Sequence, residues 1–565
     1  MMICGLKLTH DGSIAVIEDG KLLFSIEMEK LNNNSRFMGI EETSIIEEIL
    51  NENSVKLDQI DYFVIDGWGG NDQAELAIQP RLEIGEESNK VYAADCGKKY
   101  KLDVNFYEER NMKSNVLKKF EFKGLLINRK EFCYSSYLHV AGHIMSAYCT
   151  SPFAKRSEDS FILVWDGGMY PRLYYFDGQS KKIDNLGPLF FMIGNTYTIF
   201  SQHFGPYKVQ GSFAKDSLSI AGKVMAYIAL GTVKEELFDI LEDIHNENYT
   251  TPMGFANILA NKFKKEIEGK GYKDEDILAT FHLYLERMLI SKLSKKIERY
   301  QKRCSNLCIA GGCALNIKWN SAIRNTKMFD EVYVSPFPND SGSAIGMACC
   351  GMMEKTGETS LDWSVYIGPQ IIKNEPVSGW SQRICTVDEL ASLLYEKDEP
   401  VVFLNERAEL GPRALGNRSI LASASSKNMK DILNMVKKRE AYRPISPICM
   451  EARAKDIFSP GISDPYMLFD HIVKGEWKDK VPAICHLDGT ARLQTVTEEQ
   501  NPVVAELLEK YERLSSIPLL CNTSANFNGS GFFPDVKSVT EWGRVNYVWC
   551  DNTLYEKDEK VVFEK

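Results

Sequence analysis

The chain has 565 residues, too many for a single hydrophobic core, so two to four domains are expected. Hydrophobic residues make up 44% and charged residues 26%, as in ordinary globular proteins. The formal net charge of -11 argues against nucleic acid or an acidic membrane as a partner of the whole surface, but it is compatible with a local basic pocket.

The N-terminal sequence, the lengths of the apolar stretches and the cysteine spacing predict a cytoplasmic protein with reduced thiols. No secretion signal is visible and no apolar stretch is long enough to span a bilayer, so we expect a cytoplasmic protein without a membrane partner. The 14 cysteines include the adjacent Cys349 and Cys350 but no CxxC pair, which favours reduced core thiols over disulfides or zinc fingers.

The first thirty residues predict a three-stranded meander. Strands are expected at 3–8, 13–17 and 21–26, with His10-Asp11-Gly12 and Asp19-Gly20 as turns. A similar pattern recurs at 161–165 and 172–176, with Asp166-Gly167-Gly168 and Asp177-Gly178 as turns. Two such copies resemble the duplicated core of actin-like and sugar-kinase-like ATPases, and two unrelated hairpins in an α/β protein are the alternative.

A histidine pair lies between the two copies. Ser135 and Ser136 are candidate N-caps for a helix that continues to about residue 148. His139 and His143 are four residues apart, so both imidazoles would lie on one face of this helix and could share a metal ion. Without a third ligand, such a pair is more often explained by packing or surface exposure.

Asp340 is the candidate third ligand. It lies in a Gly/Ser loop after a predicted strand at 332–335, and a helix N-cap is its other possible role. Two histidines and one carboxylate suit Fe(II), Mn(II) or Zn(II) with positions left open for phosphate oxygens. Small residues at Gly222-Lys223-Val224-Met225 and Gly311-Gly312-Cys313-Ala314-Leu315-Asn316 would let the backbone approach a nucleotide closely. A long helix is expected at 274–303.

Near residue 357 the periodicity fades into Gly, Ser, Thr and Pro, which indicates a domain boundary. The second unit carries rigid basic segments that could bind a phosphate-bearing substrate. The alternative is that these basic residues form a solvated face without a ligand. The Gly and Pro residues that flank them argue against this alternative. The segments are ELGPRALGNRS at 409–419, VKKREAYRP at 436–444, HLDGTAR at 486–492 and NTS at 522–524.

With these motifs, the whole chain resembles the NodU/CmcH family of O-carbamoyltransferases, which modify nodulation factors, cephalosporins and aminoglycosides such as tobramycin. The resemblance implies an α/β fold in two domains. Residues 1–356 would form an actin-like ATPase (ASKHA) domain similar to tRNA threonylcarbamoyltransferases, and residues 357–565 a YrdC-like carbamoyl-adenylate synthase domain.

The resemblance also implies a two-step reaction with ATP and carbamoyl phosphate. The C-terminal domain would make carbamoyl-AMP, and the N-terminal domain would transfer the carbamoyl group to a hydroxyl or amine of a small-molecule natural product or glycoside. A divalent metal would assist, with Fe2+ expected and Mn2+ or Mg2+ as alternatives. A homodimer is expected from the base rate for soluble enzymes.

The roles that the resemblance implies for individual residues fall into three groups. The catalytic residues would be His10, as the base that accepts the acceptor's proton, Asp11, Arg413, Lys437, Arg443 and Arg492. Nucleotide and cofactor binding would involve Asp166, Gly167, Gly222, Lys223, Gly311, Gly312, Asn316, Arg418 and Ser524. The metal ligands would be His139, His143 and Asp340.

Three segments depart from the family pattern, namely 226–229, 522–527 and Glu27-Met28-Glu29-Lys30, the last near the expected acceptor. A different carbamoyl-transferring enzyme and a protein without catalytic activity are the two alternatives to an O-carbamoyltransferase. Hydrogenase-maturation or tRNA-threonylcarbamoylating enzymes share both folds, but this chain lacks the CxxC zinc fingers of the former, and the latter normally have the two domains on separate chains. A non-catalytic actin-like scaffold is the other alternative.

Overall fold

Three large β-sheets carry the fold in the computed structural model, which describes residues 1–67, 81–85, 91–92, 99–109, 111–209, 217–247, 252–301 and 304–563. The fold is mixed α/β, as predicted. No helix within these ranges is long and apolar enough to cross a bilayer.

The N-terminal part of the chain forms the first sheet, in the order β3-β2-β1-β4-β9-β8, and a small sheet of β6-β5-β7. In the first sheet β1 is antiparallel to β2 and parallel to β4. The strands are β1 (Met2–Lys7), β2 (Ser13–Glu18), β3 (Lys21–Glu27), β4 (Tyr62–Asp66), β5 (Arg81–Gly85), β6 (Val91–Tyr92), β7 (Lys99–Asp103), β8 (Phe120–Ile127) and β9 (Lys130–Tyr137).

The second sheet repeats this arrangement, in the order β12-β11-β10-β13-β14. Strand β10 is antiparallel to β11 and parallel to β13, so it takes the place that β1 has in the first sheet. The predicted pair of meanders is therefore confirmed. The strands are β10 (Ser160–Val164), β11 (Arg172–Phe176), β12 (Ile183–Pro188), β13 (Asn306–Ala310) and β14 (Glu331–Val334).

Ten helices accompany these sheets in the described part of the chain up to residue 356. They are α1 (Ser44–Glu52), α2 (His139–Cys149), α3 (Pro152–Lys155), α4 (Asn195–Ser201), α5 (Ser217–Tyr227), α6 (Phe238–Asn246), α7 (Pro252–Ile267), α8 (Asp274–Glu298), α9 (Ile317–Asn325) and α10 (Ser343–Thr356). Helix α8 ends earlier than the predicted 274–303, and residues 302–303 lie outside the described residues.

Helices α2 and α10 cross between the two sheets at very short range. Every residue of α2 is buried, and a Cβ added to Gly346 of α10 would lie 1.9 Å from the carbonyl oxygen of Gly142. Glycine is thus required at this crossing because no side chain fits between the backbones. The crossing fixes the start of α2 against the turn that precedes α10.

Two predictions about helix caps were wrong. Ser135 and Ser136 lie within β9, just before its last residue, and are not N-caps. Helix α2 begins at His139. The first amide groups of α2 instead donate to the carbonyl oxygens of Phe106 and Tyr107, which satisfies them without a side-chain cap. Asp340 does not cap a helix through its side chain, because its carboxylate faces charged partners described below.

The remaining chain forms an eight-stranded sheet in the order β15-β25-β24-β16-β17-β23-β18-β22, with a small sheet of β19-β20-β21. Its strands are β15 (Trp380–Ile384), β16 (Val401–Leu404), β17 (Arg418–Ala422), β18 (Ser446–Met450), β19 (Phe458–Ser459), β20 (His471–Val473), β21 (Thr490–Ala491), β22 (Gln494–Val496), β23 (Leu519–Ser524), β24 (Tyr547–Cys550) and β25 (Thr553–Lys557).

Helices pack on this third sheet and share a separate hydrophobic core with it. They are α11 (Val387–Lys397), α12 (Met429–Val436), α13 (Glu451–Ile457), α14 (Gly475–Lys478), α15 (Pro502–Ser515) and α16 (Val536–Trp542). The irregular stretch between α10 and β15 contains the predicted boundary at residue 357, which stays a prediction. The YrdC-like assignment of this half also stays a prediction.

Candidate functional site

Four buried side chains meet where the two N-terminal sheets face each other. The Nε2 atoms of His139 and His143 lie 3.0 Å apart, and Oδ1 of Asp340 lies 3.3 and 3.5 Å from them. Oδ1 of Asp166, at the end of β10, lies 4.0 Å from Nε2 of His143. One ligand atom from each side chain falls within 4.8 Å of all the others. We call this group the metal cleft.

The donor set fits a divalent cation. The helical spacing of His139 and His143 directs both imidazoles to the same point, as the sequence predicts. Two imidazoles and two carboxylates are the ligands preferred by Fe(II), Mn(II) or Zn(II). Asp166, assigned to nucleotide binding from the sequence, here joins the three predicted metal ligands.

Asp66 is a partner of the cleft that the sequence analysis missed. Its carboxylate lies 2.9 Å from Nδ1 of His139 and holds a proton on that atom. Nε2 is therefore the ring atom that faces the cleft and that would bind a metal ion in place of its own proton. Burial lowers the pKa of His139, but Asp66 and Asp340 outweigh it and raise that pKa to about 9. Burial alone would raise the pKa of Asp66, but His139 and Lys7 outweigh it and lower that pKa to about 2.

Lys7, on β1, is a second residue that was missed. Its fully buried ammonium lies 2.9 Å from Oδ2 of Asp66 and 3.0 Å from Oδ2 of Asp340. Burial disfavours the ionised form of Asp340, yet Lys7 and His139 hold its pKa well below the usual range. Both aspartates are therefore ionised, and Asp340 keeps its Oδ1 atom for the cleft.

His10 is the exposed imidazole at the mouth of the metal cleft. Its side chain is 36% exposed, its Nδ1 lies 2.8 Å from Oδ2 of Asp11, and its Nε2 lies 3.6 Å from Oδ2 of Asp340. Asp11 adopts a left-handed φ of 55°, and its Oδ1 accepts from the side-chain nitrogen Nδ2 of Asn339 at 3.1 Å. Burial acts against protonation, but Asp340 and Asp11 raise the pKa of His10. Nε2 of His10 thus faces the cleft, and the acidic neighbours favour its protonated form.

The predicted loop at Gly311-Gly312 and the side chain of Tyr107 support Asp166. The amide of Gly312 donates to Oδ1 of Asp166 at 2.7 Å, and the hydroxyl of Tyr107 donates to its Oδ2 at 2.5 Å. Gly311 has a φ of +86°, and a Cβ there would lie 2.4 Å from the carbonyl oxygen of Trp165. The ring of Tyr107 also packs against that of His139, with centroids 4.3 Å apart and the ring planes inclined by 36°. Tyr107 was not foreseen.

A second site, which we call the anion pocket, lies between the two halves of the chain. Its cavity of about 160 Å³ is lined by residues of both halves. Five arginines contribute to it: Arg36 from the N-terminal half, and Arg413, Arg439, Arg443 and Arg492 from the C-terminal half. Only Arg413, Arg443 and Arg492 were predicted.

Several hydrogen-bond donors of these guanidinium groups have no acceptor among the described residues. Nε of Arg492 donates to Ser446 at 2.9 Å, but Nε of Arg413 and one terminal nitrogen of Arg439 are buried without a hydrogen-bond partner among the described residues. Burial, then neighbouring arginines, lowers the pKa of Arg439 to about 9 and that of Arg492 to about 10. An anion with several oxygens would satisfy the free donors and relieve the repulsion.

The other predicted binding residues are placed around the anion pocket in different ways. Ser524 and Gly222 line it, whereas Lys437 supports it from behind by donating to the carbonyl oxygen of Ser524 at 2.8 Å. Lys223 follows Gly222 on α5 and is not among the lining residues. Gly222 therefore belongs to this pocket and not to the metal cleft.

Two predicted binding residues have structural contacts. Asn316 caps α9, since its side chain accepts from the amides of Lys318 and Trp319. Arg418 is fully buried and donates to four backbone carbonyl oxygens, those of Pro369, Asn405, Glu406 and Asn417, so its guanidinium does not face the pocket.

A buried carboxylate shapes the Gly-Pro-Arg loop at 411–413. Oε1 of Glu409 accepts from the amides of Leu415, Asn417 and Arg418 at 2.5, 3.0 and 3.2 Å. Gly411 has a φ of +80°, and a Cβ there would lie 2.0 Å from the carbonyl oxygen of Pro336. The loop thus packs directly on the strand that leads to Asp340.

Glu27 and Lys30 join the same loop to the N-terminal half. Lys30 donates to Glu27 at 2.7 Å and to the carbonyl oxygen of Gly411 at 2.8 Å, and the amide of Gly411 donates to Glu27 at 2.8 Å. Both side chains are buried. The segment expected near an acceptor therefore holds the two halves together.

Residues 311–318 connect the two sites. Gly312 contacts Asp166 in the metal cleft, the carbonyl oxygen of Leu315 accepts from Arg413 at 3.4 Å, and Ile317 and Lys318 line the anion pocket. Six residues separate the two ends, so even an extended chain would span no more than about 20 Å between the sites. The cleft and the pocket are neighbours.

Comparisons with known proteins agree with this two-part arrangement. Residues 2–349 match the family model for the carbamoyltransferase N-terminus, and residues 391–557 match that for the carbamoyltransferase C-terminus. A solved activator of 2-hydroxyisocaproyl-CoA dehydratase from Clostridium difficile covers 64% of this chain and 100% of its own at 12% identity, with a TM-score of 0.33, too low to support an argument about the fold.

Curated relatives match over the full length. Nodulation protein U from Sinorhizobium fredii is 47% identical, with 99% of each chain covered. The 3'-hydroxymethylcephem-O-carbamoyltransferase of Streptomyces clavuligerus is 29% identical, again with 99% of each chain covered. The resemblance seen in the sequence is confirmed: the chain belongs to the carbamoyltransferase family and is a transferase enzyme.

Proposed function

We propose that this enzyme uses ATP and carbamoyl phosphate to carbamoylate a hydroxyl group of a small-molecule natural product, through a carbamoyl-AMP intermediate. Water first cleaves carbamoyl phosphate to carbamate and phosphate. The carbamate oxygen then attacks the α-phosphorus of ATP and pyrophosphate leaves, and the acceptor oxygen finally attacks the carbamoyl carbon and AMP leaves. The adenylation belongs to the C-terminal half and the transfer to the N-terminal half.

The anion pocket suits the first two steps. Carbamoyl phosphate and the phosphates of ATP carry several negative charges. Arg413 and Arg439 each have a buried donor without a partner among the described residues, and burial, then Arg443, lowers the pKa of Arg492. Planar guanidinium groups bind phosphate oxygens in pairs and stabilise charge that develops on a leaving phosphate. The crowding of arginines with unfilled donors is the observation that carries this proposal.

The metal cleft suits the transfer. Nδ1 of His10 donates to Asp11, which leaves Nε2 to accept the proton of the acceptor hydroxyl as its oxygen attacks the carbamoyl carbon. His139, His143, Asp166 and Asp340 would hold a divalent cation, with Fe2+ expected from the two-histidine, carboxylate set. When bound, that cation supplies charge neutralisation and Lewis acidity at the nucleotide phosphate.

The acceptor class rests on the relatives. The cephem carbamoyltransferase acts, by its name, on a hydroxymethyl group of a small molecule. An imidazole base and an open position at the cleft mouth suit an alcohol, whose proton must be removed as its oxygen attacks. An O-carbamoyl product is therefore proposed.

The experiment separates the two half-reactions. Purified protein is incubated with ATP and carbamoyl phosphate, with Fe2+ or Mn2+ added, and carbamoyl-AMP and pyrophosphate are measured by mass spectrometry and a coupled assay. Arg492→Ala is expected to abolish adenylate formation, while His139→Ala is expected to retain it and lose transfer. Arg513→Ala, on the exposed face of α15, is the matched control.

Three results would count against the proposal. Absence of both carbamoyl-AMP and pyrophosphate in the wild type, with either metal, would remove the adenylate route. Unchanged adenylate formation in Arg492→Ala would remove the role of the anion pocket. Equal loss of both half-reactions in His139→Ala would contradict the division between the two sites.

A further inference from the structure

Residues 27–40 touch both sites at once. The side chain of Arg36 lines the anion pocket, while the carbonyl oxygens of the next two residues, Phe37 and Met38, accept from the amides of Asp11 and Gly12 at 3.1 and 2.9 Å. Neighbouring residues of one segment thus contact the pocket arginines on one side and the turn that carries His10 on the other.

The contact with the His10 turn is too tight to absorb movement. A Cβ added to Gly12 would lie 2.7 Å from the backbone of Gly39, and one added to Gly39 would lie 2.9 Å from the carbonyl oxygen of Thr9. Asp11 and Phe37 both adopt left-handed φ values, 55° and 65°. Because packed backbones of this kind shift together, a displacement of Phe37 must move the turn.

The same segment is attached to the C-terminal half. The amide of Arg36 donates to the carbonyl oxygen of Gly529 at 3.0 Å, and the amide of Gly531 donates to that of Asn34 at 3.1 Å. Asn526, a few residues earlier, accepts from Lys437, which also holds the carbonyl oxygen of Ser524. Backbone hydrogen bonds to the C-terminal half therefore hold Arg36 in the wall of the anion pocket.

Glu29 is the internal partner that an anion would displace. Its Oε2 accepts from the amide of Phe37 at 3.1 Å and lies 3.9 Å from Nε of Arg36. The Arg36 side chain is 36% exposed, and its guanidinium also lies over the ring of Phe37, 5.2 Å from the centroid. The pair with Glu29 is its one ion pair among the described residues, and such an exposed pair is weak. A multivalent anion in the pocket would draw the guanidinium away from Glu29 and alter the strain at Phe37.

We propose that Arg36 is a positioning residue that couples filling of the anion pocket to ordering of the His10–Asp11 turn. Arg36 contacts the anion, and the backbone of Phe37 and Met38 transmits its new position to the turn. The base would then be fully placed only when the pocket is occupied. This inference rests on the proposed function, because it takes the pocket ligand to be a phosphate-bearing anion.

Hydrogen–deuterium exchange on the full-length enzyme tests the coupling without reference to activity. Carbamoyl phosphate and, separately, inorganic pyrophosphate are added, and peptides covering 8–13 and 486–493 are followed. In the wild type both peptides are expected to exchange at least about threefold more slowly when the anion is bound. Arg36→Gln removes one contact to the anion, so the anion is added to a concentration that saturates this variant. The peptide at 486–493 is then expected to keep its protection, while the peptide at 8–13 loses it.

The controls separate coupling from folding. Arg36→Lys keeps the charge and is expected to restore part of the protection at 8–13, and Arg513→Gln is expected to behave as the wild type. Circular dichroism checks that each variant is folded. In the activity assay, Arg36→Gln is compared with the wild type per adenylate formed, because loss of an anion contact can itself slow adenylation. On that basis the variant is expected to transfer at least about tenfold fewer carbamoyl groups.

Two outcomes overturn the inference, and a third overturns its premise. Protection at 486–493 without protection at 8–13 in the wild type would show that the sites are not coupled. Equal protection at 8–13 in the wild type and in Arg36→Gln would show that Arg36 is not the link. No protection at 486–493 with either anion would refute the pocket ligand, and with it the proposed function.

Discussion

Asp66 accepts the Nδ1 proton of His139 at 2.9 Å, and it does so from the end of the strand next to β1. This partner fixes the imidazole in the tautomer that a metal ligand needs. Asp66→Asn is therefore expected to weaken divalent metal affinity by about 10- to 100-fold, measured as metal retained after dialysis and by calorimetric titration. Asp58→Asn, on the exposed surface nearby, is the control. Equal affinity in both variants would contradict the assignment.

Arg439 was absent from the predicted site, yet it lines the anion pocket, and one of its terminal nitrogens is buried without a hydrogen-bond partner among the described residues. A hydrogen bond to a charged group contributes about 1.5–3 kcal/mol, so Arg439→Ala is expected to weaken carbamoyl phosphate binding by about 10- to 100-fold. Isothermal titration measures the dissociation constant, with Arg513→Ala as control. An unchanged constant would exclude Arg439 from the binding set.

His282 predicts a pH dependence of stability. Burial, then Lys318, lowers its folded-state pKa to about 3, while an unfolded histidine titrates near 6.5. The unfolded chain therefore binds the proton more readily, and stability is lost as the pH falls from about 6.5 towards 3. When the pH is lowered from 7 to 5, the free energy of unfolding of the wild type should fall by about 2 kcal/mol more than that of His282→Gln, as measured by urea titrations. Parallel losses in both proteins would refute this.

Gly346 tests the crossing of α2 and α10. A methyl group there would meet the carbonyl oxygen of Gly142 at 1.9 Å, so the helices must separate. Gly346→Ala is expected to lower the free energy of unfolding by about 1–3 kcal/mol and to reduce metal retention, because Asp340 precedes α10. Gly475→Ala, where a Cβ meets nothing within 4 Å, is the control. Normal stability and metal content in Gly346→Ala would be the contrary result.

Local patterns were enough to predict the meanders and the ligand pair. Alternating strands with Asp-Gly turns carry their own signal, and the spacing of His139 and His143 directs both rings to one point whatever surrounds them. Asp340 could be proposed because it follows a strand and a Gly/Ser loop. The sequence could not show that Asp166 completes the set, since its distance to His143 depends on how two sheets pack.

Asp66 had a usable signal that was overlooked: it ends the buried strand Tyr62–Asp66, and a carboxylate at such a position lies at a sheet edge. Lys7, Tyr107 and Arg36 had none. Each is a common residue type in an unremarkable local sequence, and its role arises from contacts with residues far away in the chain. Arg418 was misplaced because a basic residue beside Arg413 looked like an anion ligand, whereas its strand position turns it into the interior.

The shared wall of the anion pocket has a consequence for dividing the protein. A polypeptide split after residue 356 would leave Arg36, Ile317 and Lys318 on one fragment and the pocket arginines of the C-terminal half on the other. Neither fragment alone would present the full binding surface. Mixing the two fragments should restore anion binding only to the extent that they reassociate, so complementation would measure the strength of the contact between the halves.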